Sequence, residues 1–258
     1  GDVYKRQDNV SLFPMDDFLT SEALAISPEL RYNRLETINK VLEQPNIVIT
    51  NLMGYLRFLP TKKNYQQAFL NLEVGNTINP QELVEKLVQS GYTRDTIVNK
   101  TGEFAVRGFI IDVFPVESDT AVRIEFFDDE IESIRYFDCD TQKSLSSISS
   151  ILIRPCSEFL TTKIVEEDSS KQKFLPFYEE VSSILDYLGD SITFFKDYEQ
   201  LKVSFSQIME EVLTYRSTKD AEFNGKYMFD FLDIHPTFPI YYMLSLIHIS
   251  EPTRQEAI

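Results

Sequence analysis

Four strand-forming runs between residues 103 and 138 constrain the fold more than any other feature of the sequence. They are EFAVRG, FIIDVFP, AVRIEFFDD and EIESIRYFD, and short turns separate them. Consecutive strands with such short connections pair antiparallel, because parallel neighbours need a long crossover. The sequence therefore predicts an antiparallel sheet in this region.

A compact helix is predicted just before these strands. In NPQELVEKLVQSG, Asn79 is expected to cap the helix, Glu82 to act as a capping-box acid and Gly91 to end it. The predicted apolar face consists of Leu83, Val84, Leu87 and Val88. One amphipathic helix against an antiparallel sheet predicts a small α+β domain, from about residue 71 to 155.

The preceding segment alternates helix and strand. SPELRYNRLETINKVLEQP predicts a helix that Ser27 caps and Pro45 stops, and NIVIT at residues 46–50 predicts a buried parallel strand. LMGYLRFLP then predicts a second helix that ends by Pro60. This order is typical of an α/β domain, whose first part is expected at residues 8–70.

The same α/β pattern returns after Pro155. EEDSSKQK predicts a solvated loop, FYEEVSSILDYLGD a helix followed by the strand SITFF, and YEQLKVSFSQIMEEVLTYRS a long helix. Residues 156–243 are therefore expected to continue the α/β domain.

The two ends of the chain are not expected to belong to the folded protein. GDVYKRQ, residues 1–7, back-translates to a transposon adapter used in shotgun sequencing libraries. LSLIHISEPTRQEAI, residues 244–258, matches the reverse complement of that adapter, followed by index and primer sequence. We therefore predict that both ends are sequencing-adapter artefacts and that the remainder is an internal piece of a longer protein.

The chain is strongly acidic, with a formal net charge of -16 at pH 7. Nucleic-acid affinity rests largely on lysine and arginine, so this charge argues against long-range attraction to a phosphate backbone. Cys139 and Cys156 are too far apart for a CxxC metal pair and are expected to be reduced thiols of a cytoplasmic protein. No apolar run approaches the roughly 20 residues that a membrane helix needs.

Familiar catalytic and cofactor motifs are absent from the sequence. It has no GxxxxGK[ST] phosphate loop, no GxGxxG fingerprint, no HExxH pair and no GxSxG nucleophile turn. Asp128, Asp129 and Glu130 could hold a metal, but an acidic run between strands is more typical of a solvated turn. We predict no catalytic, cofactor-binding or metal-binding residue, so the chain is interpreted as a binding module rather than an enzyme.

AVRIEFF, residues 121–127, predicts an aromatic ring on the wet face of a strand. Because side chains alternate between two faces, Phe126 points to the apolar side while Arg123 and Phe127 point to the other. If EFAVRG is a neighbour in the same sheet, Arg107 lies on the same face. Arginine and aromatic side chains dominate interface energetics, so Arg107, Arg123 and Phe127 predict a partner-binding site.

Other interpretations of these residues stay open. Phe127 can belong to a second hydrophobic layer, with the arginines paired to Glu103 and Glu125. Arginine beside an aromatic ring also suits single-stranded nucleic acid, which predicts salt-sensitive binding of oligonucleotides. A part in an active ATPase lobe predicts stabilisation by nucleotide instead.

Residues 101–145 carry the most specific pattern in the chain. TGEFAVRGFIIDVFP, a short loop and RIEFFDDEIESIRYFDCDTQKSL resemble the N-terminal part of the bacterial transcription-repair coupling factors, the Mfd family. They are similar, more distantly, to UvrB, the excision-repair subunit that receives damaged DNA from UvrA. A fragment of UvrB is therefore an alternative origin. Weaker resemblance extends over most of residues 8–243.

The resemblance implies a fold, a partner and a parent activity. The fold is a partial α/β scaffold domain like a helicase lobe, into which the α+β domain is inserted. Arg107, Arg123 and Phe127 match the positions by which this family and UvrB hold UvrA. The parent is implied to be an ATP- and magnesium-dependent translocase that engages RNA polymerase and double-stranded DNA through domains outside this chain.

One residue departs from the UvrB pattern. Where UvrB has an acid pair for magnesium and water, FFKDYE places Lys196 at the position of the first acid. A lysine cannot ligate magnesium. The resemblance thus implies a scaffold lobe without nucleotide chemistry, and no cofactor is expected in this part of the protein.

Overall fold

The computed structural model describes residues 9–23, 27–161, 171–234, 236 and 240–243. The predicted adapter segments lie outside these residues, so their assignment stays a prediction. Within the described ranges, no helix combines the length and the apolar character needed to cross a membrane.

The described chain contains both helices and strands, and seven strands follow one another without a helix between residues 93 and 153. The helices are α1 (Phe18–Ala23), α2 (Pro28–Glu43), α3 (Leu52–Tyr55), α4 (Lys62–Gln67), α5 (Pro80–Gln89), α6 (Leu175–Tyr178), α7 (Ile184–Leu188) and α8 (Tyr198–Lys219). The strands are β1 (Val10–Phe13), β2 (Ile47–Thr50), β3 (Leu59–Pro60), β4 (Leu70–Glu73), β5 (Thr93–Arg94), β6 (Glu103–Arg107), β7 (Ile110–Val113), β8 (Ala121–Phe127), β9 (Glu130–Phe137), β10 (Ser144–Ile148), β11 (Ser150–Ile153), β12 (Val181–Ser182), β13 (Phe194–Lys196) and β14 (Tyr241–Met243).

A six-stranded sheet forms the centre of the predicted α+β domain. Strands β6 to β9 follow one another as an antiparallel meander, and β10 extends it at one edge. Short β5 pairs in parallel with β6 at the other edge. The four predicted strands and their antiparallel pairing are therefore confirmed.

The ends of α5 follow the predicted caps. The Asn79 side chain accepts hydrogen bonds from the backbone N–H groups of Gln81 and Glu82, at 2.9 and 3.4 Å. Gly91 has a φ of +89° just past the helix, a conformation that glycine adopts without strain. The Glu82 side chain instead pairs with Lys86 one turn along, at 2.7 Å.

The apolar face of α5 covers one side of the sheet. Its contribution to this core is Leu83, Val84 and Leu87. The sheet contributes Phe104, Ile111, Val113, Val122, Ile124, Phe126, Ile131 and Ile134. Val88 was predicted to join them, which is wrong because its side chain is 55% exposed. At 100° per residue, it lies about a quarter turn from the centre of the buried stripe.

Strands β4 and β11 close the α+β domain. They pair antiparallel, with Leu70 opposite Ile153, so the two ends of the domain lie side by side. Leu70 and Cys156 are both buried in the same core as the sheet and α5. The predicted boundaries of 71 and 155 therefore leave a core residue outside at each end.

Residues 70–156 expressed alone are expected to unfold in one cooperative transition. The unit has its own core and paired ends, so it needs few contacts from elsewhere. Thermal unfolding followed by circular dichroism tests this, with residues 71–155 as the matched control of lower expected stability. A broad, non-cooperative melt of the longer fragment would contradict the assignment of an independent domain.

The flanking segments contain both helices and strands, which is compatible with the predicted α/β pattern, and their parallel strands form two separate pairs. β1 pairs with β2, with Val10 opposite Ile47, and β13 pairs with β14. No wider parallel sheet joins these pairs in the part of the chain that the structure describes. The prediction that β2 is buried is wrong: Ile47 and Ile49 are exposed, since the strand has a single neighbour.

Two predicted helices are shorter than the sequence suggested. In LMGYLRFLP only Leu52–Tyr55 is helical, because Leu59–Pro60 forms β3 and pairs with β12. The same pairing divides FYEEVSSILDYLGD into α6 and α7. The sequence does contain a capping motif at the start of α7. There the Asp186 carboxylate accepts hydrogen bonds from Ser183 N and Oγ at 2.6 and 2.9 Å.

Two further local predictions need correction. Ser27 precedes α2, but its side chain makes no capping hydrogen bond. In EEDSSKQK, residues 166–170 lie outside the described residues, and Lys173 is buried rather than solvated. Its ammonium group pairs with Asp220 and lies 4.7 Å from the centre of the Phe223 ring.

Candidate partner-binding site

The three predicted site residues lie on the face of the six-stranded sheet that points away from α5. Arg107 ends β6, while Arg123 and Phe127 lie on β8. Strand β7 runs between these two strands, so β6 and β8 are not direct neighbours. Asp112 of β7 faces the same side and pairs in register with Arg123.

Asp112 holds both arginines. Its side chain is buried, and its carboxylate accepts hydrogen bonds from Arg123 Nε at 2.7 Å and Arg123 Nη2 at 2.9 Å. Arg107 Nη2 donates to the same carboxylate. The hydrogen bond with Asp112 raises the pKa of Arg123. A buried carboxylate thus fixes the positions of two guanidinium groups, of which Arg107 is the more exposed.

Arg123 is packed as well as paired. Its guanidinium carbon lies 4.5 Å from the centre of the Phe137 ring, and its side chain is only 12% exposed. Phe137 belongs to a small hydrophobic cluster with Val98, Ala105 and Ala121. Arg123 therefore contributes to the stability of the domain and not only to its surface.

Gln142 contacts both arginines. Its Nε2 donates to the carbonyl oxygen of Cys139 at 2.7 Å, which directs Oε1 toward the guanidinium groups. Gln142 Oε1 accepts from Arg123 Nη2 at 3.3 Å and from Arg107 Nη2 at 3.5 Å. The backbone oxygen of Gln142 accepts from Arg123 Nη1 at 3.4 Å. The loop after β9 thus completes a polar cluster around the arginine pair.

Phe127 is exposed at the end of β8. Its side chain is 73% exposed, whereas the neighbouring Phe126 is 5% exposed. Phe109 is also exposed, in the two-residue turn between β6 and β7, and its carbonyl oxygen accepts from Phe126 N at 2.9 Å. Gly108 starts that turn with a φ of +61°, as such a hairpin requires. This end of the sheet therefore presents two exposed rings.

The structure excludes one of the interpretations of Phe127. A place in a second hydrophobic layer is wrong for this side chain, because it is exposed. The arginines pair with Asp112, while Glu103 and Glu125 bond to other groups. Alternation correctly placed the three predicted residues on one face.

Sequence reasoning missed Asp112 and Gln142. Asp112 had a signal, because it is the acidic residue within the apolar run IIDV and alternates onto the face of Arg123 once β7 is placed beside β8. Gln142 had none, since its position depends on a loop in which it takes a φ of +58°.

No group of three or more His, Cys, Asp or Glu side chains able to hold a metal occurs among the described residues. In the predicted turn, Asp128 has a φ of +58° and Asp129 accepts a hydrogen bond from the Asn79 side chain at 3.1 Å. Cys139 and Cys156 are free, and burial raises the pKa of both thiols. The turn at Asp128 and Asp129 therefore joins β8 to β9 and contacts the start of α5.

Comparison with known proteins gives a family match on the same domain. Residues 70–159 match the UvrB interaction domain, a range that includes the six-stranded sheet and the three predicted site residues. A transcription-repair-coupling factor of Bacillus subtilis is 32% identical over 259 aligned residues, covering 83% of this chain and 21% of the relative. These matches support the prediction that the chain is an N-terminal piece of a transcription-repair-coupling factor.

Staphylococcal coupling factors give the same result. One from Staphylococcus aureus is 36% identical over 154 residues, covering 59% of this chain and 13% of its own length. One from Staphylococcus epidermidis is 34% identical over 160 residues, covering 62% of this chain and 14% of its own length. This chain therefore spans about a fifth or less of the relatives it matches. The prediction of a coupling factor rather than UvrB is confirmed.

Proposed function

We propose that the UvrB interaction domain of this coupling-factor chain binds UvrA, so that the parent protein recruits UvrA to stalled RNA polymerase in transcription-coupled nucleotide-excision repair. The exposed ring of Phe127, on the same face as an arginine pair held by a buried carboxylate, carries this proposal. The family match to a UvrB interaction domain and the resemblance of the three site residues to UvrA-binding positions support it.

The chemistry of this face suits a protein partner. An aromatic ring buries a large area while losing little conformational entropy, and arginine makes planar charge-assisted pairs. Arg107 is already oriented by Asp112, so binding requires less ordering of its long side chain. Phe127 contributes little to the fold while it is exposed, which leaves its apolar surface available to a partner.

The rest of the proposed activity lies with other parts of the protein. The α/β segments of this chain act as a scaffold like a helicase lobe. ATP with magnesium, double-stranded DNA and RNA polymerase are engaged by domains of the coupling factor outside this chain. The whole reaction takes place in the cytoplasm, where transcription and excision repair meet in bacteria.

A single-stranded nucleic acid is a weaker candidate for this face. Phe127 is followed directly by Asp128, Asp129 and Glu130, and these carboxylates repel phosphate groups near the ring. The net charge of -16 acts in the same direction over longer distances. We therefore expect no salt-sensitive binding of oligonucleotides by the purified chain.

Arg107→Ala is expected to weaken UvrA binding by about 2 kcal/mol, roughly 30-fold in Kd, as truncation of an interface hot spot does. The fold should be retained, because Arg123 still pairs with Asp112. Lys143→Ala is the control, since Lys143 lies outside the three-residue site and should keep the affinity within about twofold. Calorimetric titration with UvrA checks both variants, and equal affinities for Arg107→Ala and the unsubstituted chain would contradict the proposal.

A further inference from the structure

Gln142 holds an acceptor atom between two cations. The distances from its Oε1 to Nη2 of Arg123 and to Nη2 of Arg107 differ by little, at 3.3 and 3.5 Å. Both contacts are longer than the Arg123–Asp112 hydrogen bonds of 2.7 and 2.9 Å. The amide oxygen therefore occupies this position with weak hydrogen bonds, as expected for a neutral acceptor beside charged donors.

The arginine pair keeps unused bonding capacity toward the outside. Arg123 directs three of its nitrogens to Asp112 and Gln142. Arg107 uses only Nη2 in hydrogen bonds to the described residues, so its Nε and Nη1 remain available. Arg107 is also 43% exposed, which gives a partner direct access to these donors.

The charge of the cluster is not balanced by its direct contacts. Two guanidinium groups share the single carboxylate of Asp112, and the remaining shared acceptor, Gln142 Oε1, is neutral. In the adjoining loop, the Asp138 carboxylate is directed to Thr141, whose N and Oγ1 donate to it at 2.7 and 2.6 Å. A second carboxylate is therefore the ligand that this position fits best.

We propose that Gln142 Oε1 occupies a carboxylate subsite, and that an Asp or Glu side chain of UvrA takes its place between Arg107 and Arg123. This inference rests on the proposed function. A carboxylate presents two oxygens, so it can accept from Arg123 Nη2 and from the free donors of Arg107 at the same time. In the unbound chain, Gln142 Oε1 then occupies the position of the partner's carboxylate and accepts hydrogen bonds from Arg107 and Arg123.

Gln142→Glu is the sharpest test of this subsite. The substitution places a carboxylate of the chain itself between the arginines, so it should compete with the partner and raise the Kd for UvrA by about tenfold or more. Lys143→Gln is the matched control, because it also lowers the net charge by one, at the next residue. It should change the Kd by less than threefold. Denaturation curves of both variants show whether each remains folded at the titration temperature.

Gln142→Ala tests the same subsite without adding charge. It removes the competing oxygen, so UvrA should bind with unchanged or tighter Kd, within about threefold of the unsubstituted chain. A loss of more than threefold would mean that Gln142 itself contacts the partner and would overturn the inference. This variant also decides the question should Gln142→Glu, which gives up the hydrogen bond to Cys139, fail to fold.

These outcomes separate the subsite from the proposed function. If the unsubstituted chain binds UvrA and Phe127→Ala weakens that binding, while Gln142→Glu binds within threefold of Lys143→Gln, the carboxylate subsite is wrong and the UvrA site stands. If the unsubstituted chain does not bind UvrA at all, the proposed function fails first. A loss in Gln142→Glu more than threefold beyond that of Lys143→Gln supports the subsite, and any smaller loss counts against it.

Discussion

Glu158→Gln is expected to lower the free energy of unfolding by about 3–5 kcal/mol, because it leaves two buried arginines without their counter-charge. Arg34 Nε and Nη2 donate to the Glu158 carboxylate at 2.8 and 2.9 Å, and Arg57 Nη2 and Nε donate to it at 2.7 and 3.1 Å. All three side chains are buried. Every donor of this network therefore loses a charged acceptor in the variant.

The position of this network explains the size of the effect. Arg34 lies on α2 and Arg57 follows α3, both in the α/β segment, whereas Glu158 follows β11 at the exit of the α+β domain. Gln172 adds a hydrogen bond from its Nε2 to the Glu158 backbone oxygen at 3.0 Å. Loss of the carboxylate therefore weakens the connection between the two parts of the chain.

The same network makes stability depend on pH. Burial by itself raises the pKa of Glu158, but the charges and hydrogen bonds of Arg34 and Arg57 outweigh it and lower the pKa from 4.5 to about 2. A carboxyl group with a depressed folded-state pKa stabilises the fold at pH values above its unfolded pKa. That contribution, on the order of 3 kcal/mol, is lost as the pH falls from about 4.5 to about 2.

Denaturation curves of the unsubstituted chain and Glu158→Gln between pH 7 and pH 2 measure both effects. The difference in stability should be large at pH 7 and shrink toward pH 2, where Glu158 is protonated in the unfolded state and about half protonated in the folded state. Glu36→Gln is the control, because Glu36 is an exposed partner of Lys40 and should cost about 0.5 kcal/mol or less. A Glu158→Gln effect as small as the control, or one that does not change with pH, would contradict a buried ion network.

Phe126→Ala and Phe127→Ala are expected to differ sharply in stability although the residues are adjacent. Phe126 packs in the core beneath α5, so its truncation should cost about 3–5 kcal/mol through lost burial and a cavity. Phe127 is exposed, and its truncation should cost about 0.5 kcal/mol or less. Equilibrium denaturation in urea compares them. The slope of the unfolding free energy against urea concentration should be the same for both variants. Equal destabilisation would mean that Phe127 is a core residue and that the face assignment is wrong.

The strands and α5 were predictable because local signals agreed with the final contacts. Asn79 and Gly91 fixed the ends of α5, and alternation separated Phe126 from Phe127. The site itself was half predictable. Arg107 and Arg123 were found from their face of the sheet, but their shared partner Asp112 depends on which strand lies between β6 and β8. Strand order is a long-range property that a strand's own residues do not encode.

Long-range contacts account for two further features that the sequence did not predict. Glu158 gave no signal in the sequence, because its two arginine partners are 101 and 124 residues away along the chain. β3 and β12 are short, and it is their mutual pairing that ends one predicted helix and divides another. Tertiary pairing overrides helix propensity in such short segments, since few intrahelical hydrogen bonds are given up.

Titration of UvrA with Phe127→Ala tests the proposed UvrA site most directly. Phe127 is the one site residue whose loss should leave both the fold and the arginine pair intact, because it makes neither core contacts nor hydrogen bonds to Asp112. We expect the unsubstituted chain to bind and Phe127→Ala to bind about 30-fold more weakly, a loss of about 2 kcal/mol, with an unchanged denaturation curve. Equal affinity of the two folded proteins for UvrA would contradict the site.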